Sequence, residues 1–201
     1  MRILIGCPTF DRRLDIGMFR TIINIERQNK HSLDFIFPVS SHLSRNRNMC
    51  CLQALKDKHD ALLFWDSDIE IVDNDFLDKM IQTSFRLDAK ICGGLYKMKK
   101  LNEDVYVAIE KKEDGKLDNI RKKFSEPRLV ERTGTGIMLI FRNVLETLSD
   151  PFFTIEDKPN LEVQPEDYYF CARAQEKGFK IACDPRFETR HYGQMPFTHT
   201  P

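Results

Sequence analysis

Residues 61–71 read ALLFWDSDIEI, an uninterrupted apolar run that ends by delivering two aspartates one residue apart. Ala61 to Trp65 has the length and composition of a buried strand, and as a central parallel strand it would release Asp66 and Asp68 at its carboxyl end. Open α/β sheets bind their ligands at that edge. Side chains alternate along a strand, so Asp66 and Asp68 are expected on one side and Ser67 on the other. Two like charges that close repel one another, and a hard divalent cation on one of them, its oxygen shell completed by substrate phosphates, removes the conflict. The plain alternative is a pair of turn-forming carboxylates before the next helix, a duty for which Asp73, Asn74 and Asp75 are better placed.

The flanking sequence alternates strand and helix signals. Arg2 to Cys7 and Leu33 to Val39 read as strands, and Ile16, Phe19, Ile22 and Ile23 recur at helical spacing in a helix reaching about Gln28. Leu43 to Lys58 reads as a second helix with Ser40 and Ser41 as caps. Asp73 or Asn74 can cap a third, with Phe76, Leu77, Met80, Ile81 and Ser84 on one face. The order βαβαβα predicts a mostly parallel sheet covered by helices, Rossmann-like but without GxGxxG. Further on, strands are expected at Ile91–Tyr96, Val105–Ile109, Leu129–Thr133, Ile137–Phe141 and Lys180–Cys183, with a hairpin at Asp114-Gly115. Helices are expected at Arg142–Leu148 and Pro165–Lys177, the latter stopped by Gly178. The charged stretches Lys97–Lys100, Lys111–Lys116 and Arg121–Lys123 read as solvated loops and hairpin faces.

With 201 residues, 41% hydrophobic and 31% charged, one compact domain with one core is expected. Lys plus Arg number 31, as do Asp plus Glu, so overall charge offers no grip on nucleic acid or an anionic membrane. MRILIGCPTF lacks a secretory apolar region, and no run reaches the roughly 18 apolar residues of a membrane span, so a cytoplasmic location is expected. The six cysteines show no CxxC spacing and read as buried thiols, with a Cys171–Cys183 disulfide left open.

WDSD behind an apolar strand resembles the DxD motif of GT-A fold glycosyltransferases, and SRNRN at 44–48 is similar to the ARN element that precedes it in family-2-like members, with Ser44 in the usual place of alanine. ILIGCPTFDR at 3–12 resembles their first strand and nucleotide-binding loop. TGTGIMLIFRNVLETL at 133–148 resembles their glycine-containing segment, and QPEDYYFCARAQEKGFKIACDP at 164–185 their acidic helix and final strand. RHYG at 190–193 is similar to a late histidine element, while Leu101 to Arg128 matches nothing in the pattern.

The resemblance implies a GT-A (Rossmann-like) α/β fold: a mixed, mostly parallel sheet flanked by helices, with a small antiparallel extension. It implies one domain over 1–201, with a nucleotide-binding half at about 1–95 and an acceptor and metal half at about 96–201. The implied activity moves a sugar from a nucleotide-diphosphate donor to a hydroxyl of a glycan, protein or lipid-linked acceptor, with Mn²⁺ or Mg²⁺. Asp68, Asp66 and His191 would hold the metal. Asp66 would also meet the ribose or base side of the nucleotide, with Arg45, Thr9 and Asp11 beside it, and Gly94 would admit close backbone approach. Asp167 would be the general base of an inverting reaction and Glu166 would orient the acceptor; retention stays open.

Plainer readings stand beside these. His191 can be a surface histidine, Glu166 and Asp167 can complement a helix dipole, and Gly93, Gly94, Gly134 and Gly136 can mark tight bends. Trp65, Tyr168 and Tyr169 can stack on sugars or fill the core. Two other functions stay in view: a catalytically silent nucleotide-sugar or carbohydrate-binding module, and a metal-dependent nuclease. A nucleotidyltransferase is disfavoured because CPTFDRR at 7–13 has no glycine.

Overall fold

A computed structural model describes residues 1–28, 30–100, 103–157 and 163–193. The first half runs β1 (Arg2–Gly6), α1 (Ile16–Gln28), β2 (Ser32–Ile36), α2 (Leu43–Lys56), β3 (Ala61–Trp65), β4 (Ile69–Ile71), α3 (Phe76–Arg86) and β5 (Ile91–Gly94). The second half adds β6 (Ile109–Lys111), β7 (Leu117–Asn119), β8 (Arg128–Val130), β9 (Ile137–Phe141), α4 (Arg142–Thr147), β10 (Glu156–Asp157), β11 (Val163–Gln164), α5 (Glu166–Glu176), β12 (Ile181–Asp184) and β13 (Thr189–His191).

The main sheet has seven strands in the order β2-β1-β3-β9-β5-β12-β8. β1 lies parallel to β2 and β3, and β5 parallel to β12. β9 runs antiparallel between β3 and β5, and β8 antiparallel along β12. The fold is a mixed α/β sheet flanked by helices, with small antiparallel pairs β4/β13, β6/β7 and β10/β11 beside it.

β3 carries no charge because it is central and both of its faces are covered. Leu62 and Phe64 join Leu4, Met138 and Ile140 in one core layer, which also takes Cys50 and Cys51 of α2, Val144 of α4 and Phe170 of α5. Leu63 and Trp65 join Ile3, Ile5, Ile137 and Leu139 on the other face, under Met18 of α1 and Met80 of α3. Each large side chain fully buried this way contributes about 1.5–3 kcal/mol.

Several expectations are corrected. β2 ends at Ile36, just short of Pro38, whose missing N–H cannot continue a ladder. The strand expected at Val105–Ile109 is irregular until Ile109, and Leu129–Thr133 becomes Arg128–Val130. Asp75 takes the α3 cap position, while Asp73 accepts the Glu188 N–H at 2.7 Å. All six cysteines are buried free thiols, so Cys171 and Cys183 form no disulfide; burial pushes the Cys50 thiol up to about 12. Gly115 and Gly178, with φ of +81° and +83°, make the hairpin turn and the α5 stop as expected.

The opening stretch holds one more correction. The strand stops at Trp65, and a turn closed by the Ile69 N–H on the Asp66 carbonyl at 3.2 Å sends the chain into β4. Strand alternation therefore does not govern residues 66–68, and Ser67 lines the same cavity as the two aspartates.

Candidate functional site

The chain leaves β1 for β2 on one side and returns to β3 on the other, so the crevice beyond the carboxyl ends of β1 and β3 is the switch point of the sheet. A cavity of about 240 Å³ lies there, lined by Thr9, Phe10, Ser40, Asn46, Asp66 and Asp68 among others. Buried Thr9 reaches Asp11 Oδ1 at 3.4 Å, and Asp11 accepts the Arg13 N–H at 3.1 Å, so exposed Asp11 shapes the loop that carries Thr9. A larger groove of about 960 Å³ over residues 123–128 and 185–188 lies elsewhere, and its arginines are already paired: Arg186 with Asp184 and Arg128 with Glu110.

Asp68 and His191 meet through β4 and β13. The register sets His191 opposite Ile69, and the Tyr192 N–H donates to the Asp68 carbonyl at 2.9 Å. His191 Nε2 then stands 3.6 Å from Asp68 Oδ1. Its Nδ1 is 2.9 Å from the Lys97 carbonyl, which can only accept, so Nδ1 carries a hydrogen and Nε2 is the ring atom turned toward Asp68. The Lys99 ammonium lies 2.5 Å from Asp68 Oδ2. Burial pushes the Asp68 carboxyl up, but the contacts with His191 and Lys99 prevail and hold it at about 2.

A ring nitrogen and a carboxylate oxygen set this far apart suit either a proton or a divalent cation that keeps water and substrate oxygens as its other ligands. Asp66 does not complete a triad. Its Oδ1 lies 3.8 Å from Arg47 Nη2, and among the described residues no group of three or more His, Cys, Asp or Glu is placed to hold a metal ion.

Arg47 is the residue that sequence reasoning missed. It lies on the buried face of α2 with Cys50, Cys51 and Ala54, is 3% exposed, and pairs with Glu166 at the start of α5 while reaching toward Asp66. Arg45, two residues earlier and expected beside the nucleotide, lies on the exposed face and is not among the residues lining the cavity. The signal was present: Arg47, Cys50, Cys51 and Ala54 follow the i, i+3, i+4, i+7 spacing of a helix's inner stripe.

Beyond Arg47 lies Asp167, half-buried and pushed up to about 6. Burial is the main cause, Arg47 opposes it and Glu166 adds to it. The Tyr168 N–H donates to Asp167 Oδ1 at 2.8 Å. Gly134 packs beside this carboxylate: a Cβ there would collide with Val107 and, at 2.8 Å, with the Tyr96 hydroxyl. Asp66 is also pushed up by burial, against the pull of Arg47.

The remaining candidates have packing contacts of their own. A Cβ on Gly94 would meet Ile137 and Phe187 at 2.8 Å and one on Gly93 would meet Thr133, so both glycines permit close core packing. Gly136 lies beneath Tyr96, whose hydroxyl accepts its N–H at 3.0 Å. Trp65 is wholly buried and donates to the Ile69 carbonyl at 2.8 Å. Arg132 lies over the Tyr168 ring and Arg173 over that of Tyr169.

Glu70, in the middle of β4, is 1% exposed and reads as an anomaly in an apolar strand. Arg20 of α1 and Arg190 of β13 pair with it, and the Tyr192 hydroxyl donates to it at 2.6 Å. A Cβ on Gly17 would collide with this carboxylate at 2.5 Å, so α1 packs on it through a glycine.

No family model matches the chain, and no curated protein matches it. Among solved structures it is similar to A197 from STIV, at 20% identity and a TM-score of 0.71, over 96% of this chain and 87% of that one. At that identity the likeness is one of fold. The family assignment suggested by WDSD and its flanking motifs is corrected accordingly. No family model carries it, what is shared with A197 is an architecture, and the expected Asp66–Asp68–His191 metal triad is not assembled because Asp66 is turned to Arg47. Among the described residues no helix is long and apolar enough to cross a membrane.

Proposed function

We propose that the chain transfers a glycosyl group from a nucleotide-diphosphate sugar to an acceptor hydroxyl, with inversion. The observation that carries this reading is the junction at Arg47: a switch-point cavity holding Asp66 and Asp68 on one side, and a half-buried carboxyl poised near 6 on the other.

Asp167 has the acidity of a general base working near neutral pH. It takes the proton from the acceptor hydroxyl as that oxygen bonds to the anomeric carbon; the bond from that carbon to the diphosphate oxygen breaks, and its electron pair leaves with the diphosphate. Arg47 fixes Glu166 beside the base, so Glu166 can accept a hydrogen bond that orients the acceptor. Thr9 and the Asp66 side of the cavity receive the nucleoside. Asp68 and His191 would hold Mn²⁺ or Mg²⁺, which when bound supplies positive charge against the departing diphosphate.

A screen of UDP-, GDP- and other nucleotide sugars with Mn²⁺ tests the reading, with the product's anomeric configuration read by NMR. Turnover with inversion is expected. Failure of every donor to bind defeats the proposal; tight binding without turnover, to solvent or any acceptor, leaves a binding module instead.

A further inference from the structure

One short loop touches both members of the Asp68–His191 pair. The Lys97 carbonyl accepts from His191 Nδ1 at 2.9 Å, and two residues on, the Lys99 ammonium stands 2.5 Å from Asp68 Oδ2. Tyr96, at the head of the loop, packs edge-on against the His191 ring with centroids 5.4 Å apart. The neighbouring lysines point elsewhere: Lys97 to Asp104 at 2.7 Å and Lys100 to Glu103 at 3.9 Å. Lys99 is thus the loop's cation at the cavity that Asp68 lines. Its side chain and that of Asp68 are 41% and 43% exposed, so the ammonium can leave the carboxylate through solvent.

We infer that Lys99 is a movable phosphate-binding residue, holding Asp68 while the site is free of cation and turning to the donor's diphosphate when a divalent cation takes Asp68. This rests on the reading of the site given above. The charges determine the exchange. A divalent ion at Asp68 repels an ammonium a few ångströms away, and the diphosphate arriving with it is the strongest alternative partner within reach of the side chain. Lysine suits the task because its charge is compact and its four-carbon stem is flexible, where arginine's planar fork favours one fixed geometry. No covalent step is involved.

Three proteins test the inference: wild type, Lys99→Met and Lys99→Arg. Mn²⁺ binding is followed by the EPR signal of free Mn²⁺, and UDP and GDP binding by calorimetry with Mn²⁺ present. Without nucleotide, Lys99→Met should bind Mn²⁺ about threefold more tightly, the scale of an exposed ion pair removed. With Mn²⁺, it should bind the nucleoside diphosphate about tenfold more weakly, the scale of one hydrogen bond to a charged group, and Lys99→Arg should recover most of that loss. Mn²⁺ affinity unchanged or reduced in Lys99→Met overturns the inference. So does equal nucleotide affinity in wild type and Lys99→Met, which leaves the transferase reading standing. A wild type that binds neither UDP nor GDP removes both.

Discussion

Glu70 and Asp167 are two carboxylates largely withdrawn from water, and they are shifted in opposite directions. Glu70 takes a hydroxyl bond from Tyr192 and pairs with Arg20 and Arg190; with the Tyr192 bond as the main cause, it is held below the usual glutamate range. Asp167 has a backbone N–H as its donor and only the field of Arg47 in its favour, and burial pushes it up to about 6. Burial alone therefore does not distinguish a structural acid from a reactive one. Donor supply does: Glu70 ties α1, β4 and β13 together, whereas Asp167 is left with capacity to accept a proton.

The sharpest break of this comparison is Asp167→Asn. Turnover should fall by about 10²–10⁴-fold, the range of a lost general base. Stability should hold or rise. Because the folded protein raises this carboxyl above its ordinary 3.8, ionising it opposes folding, and the penalty grows as pH rises from the unfolded value through about 6. The amide removes that penalty at neutral pH. A variant that loses activity together with thermal stability would place Asp167 with Glu70, as a structural acid.

Glu70→Gln is the converse experiment. It exchanges a charged acceptor for a neutral amide among two arginines and a tyrosine, and should cost about 1.5–3 kcal/mol in urea unfolding. The sign with pH is opposite to that of Asp167. A carboxylate held low stabilises the fold above its unfolded value and loses that contribution as pH falls through the folded one. Wild type should accordingly lose stability in acid more steeply than Glu70→Gln. Parallel acid limbs for the two proteins would show that Glu70 is not the group responsible.

A smaller effect is expected in the pH profile of kcat/KM. Its acid limb should fall near pH 6, the value to which Asp167 is raised, and Glu70→Gln should leave that midpoint in place while lowering the plateau through β13 and His191. A limb near 4 would mean that the base is an unperturbed carboxylate.

How far this contrast could be read in the sequence depends on what fixes each residue. β3 and β9 follow from short uninterrupted apolar runs, α3 from helical spacing and the end of α5 from Gly178, because each is written in one local stretch. Asp68 and His191 were both visible as residues, but their meeting rests on β4 and β13, three residues each, whose pairing is set by tertiary register and has no periodicity of its own. Glu70 sits within the ALLFWDSDIEI stretch, yet nothing local shows that Arg20, Arg190 and Tyr192 converge on it. Lys99 belongs to a charged run whose neighbours do face outward, so composition gave the loop and not the contact.

Arg45 gives the smallest expected effect and, set against Arg47, the finest test of the same lesson. A helix turns about 100° per residue, so arginines two apart lie on nearly opposite sides. Motif resemblance selects Arg45; the phase set by Cys50, Cys51 and Ala54 selects Arg47. Arg45→Ala should therefore change stability by no more than about 0.5 kcal/mol and kcat/KM by less than about twofold, as substitutions on an open face do. Arg47→Lys keeps the charge but loses the fork that spans Glu166 and Asp66, and should lower kcat/KM by at least about tenfold. Comparable losses in the two variants would mean that Arg45 does reach the donor, and that helical phase is a poorer guide at this site than the motif.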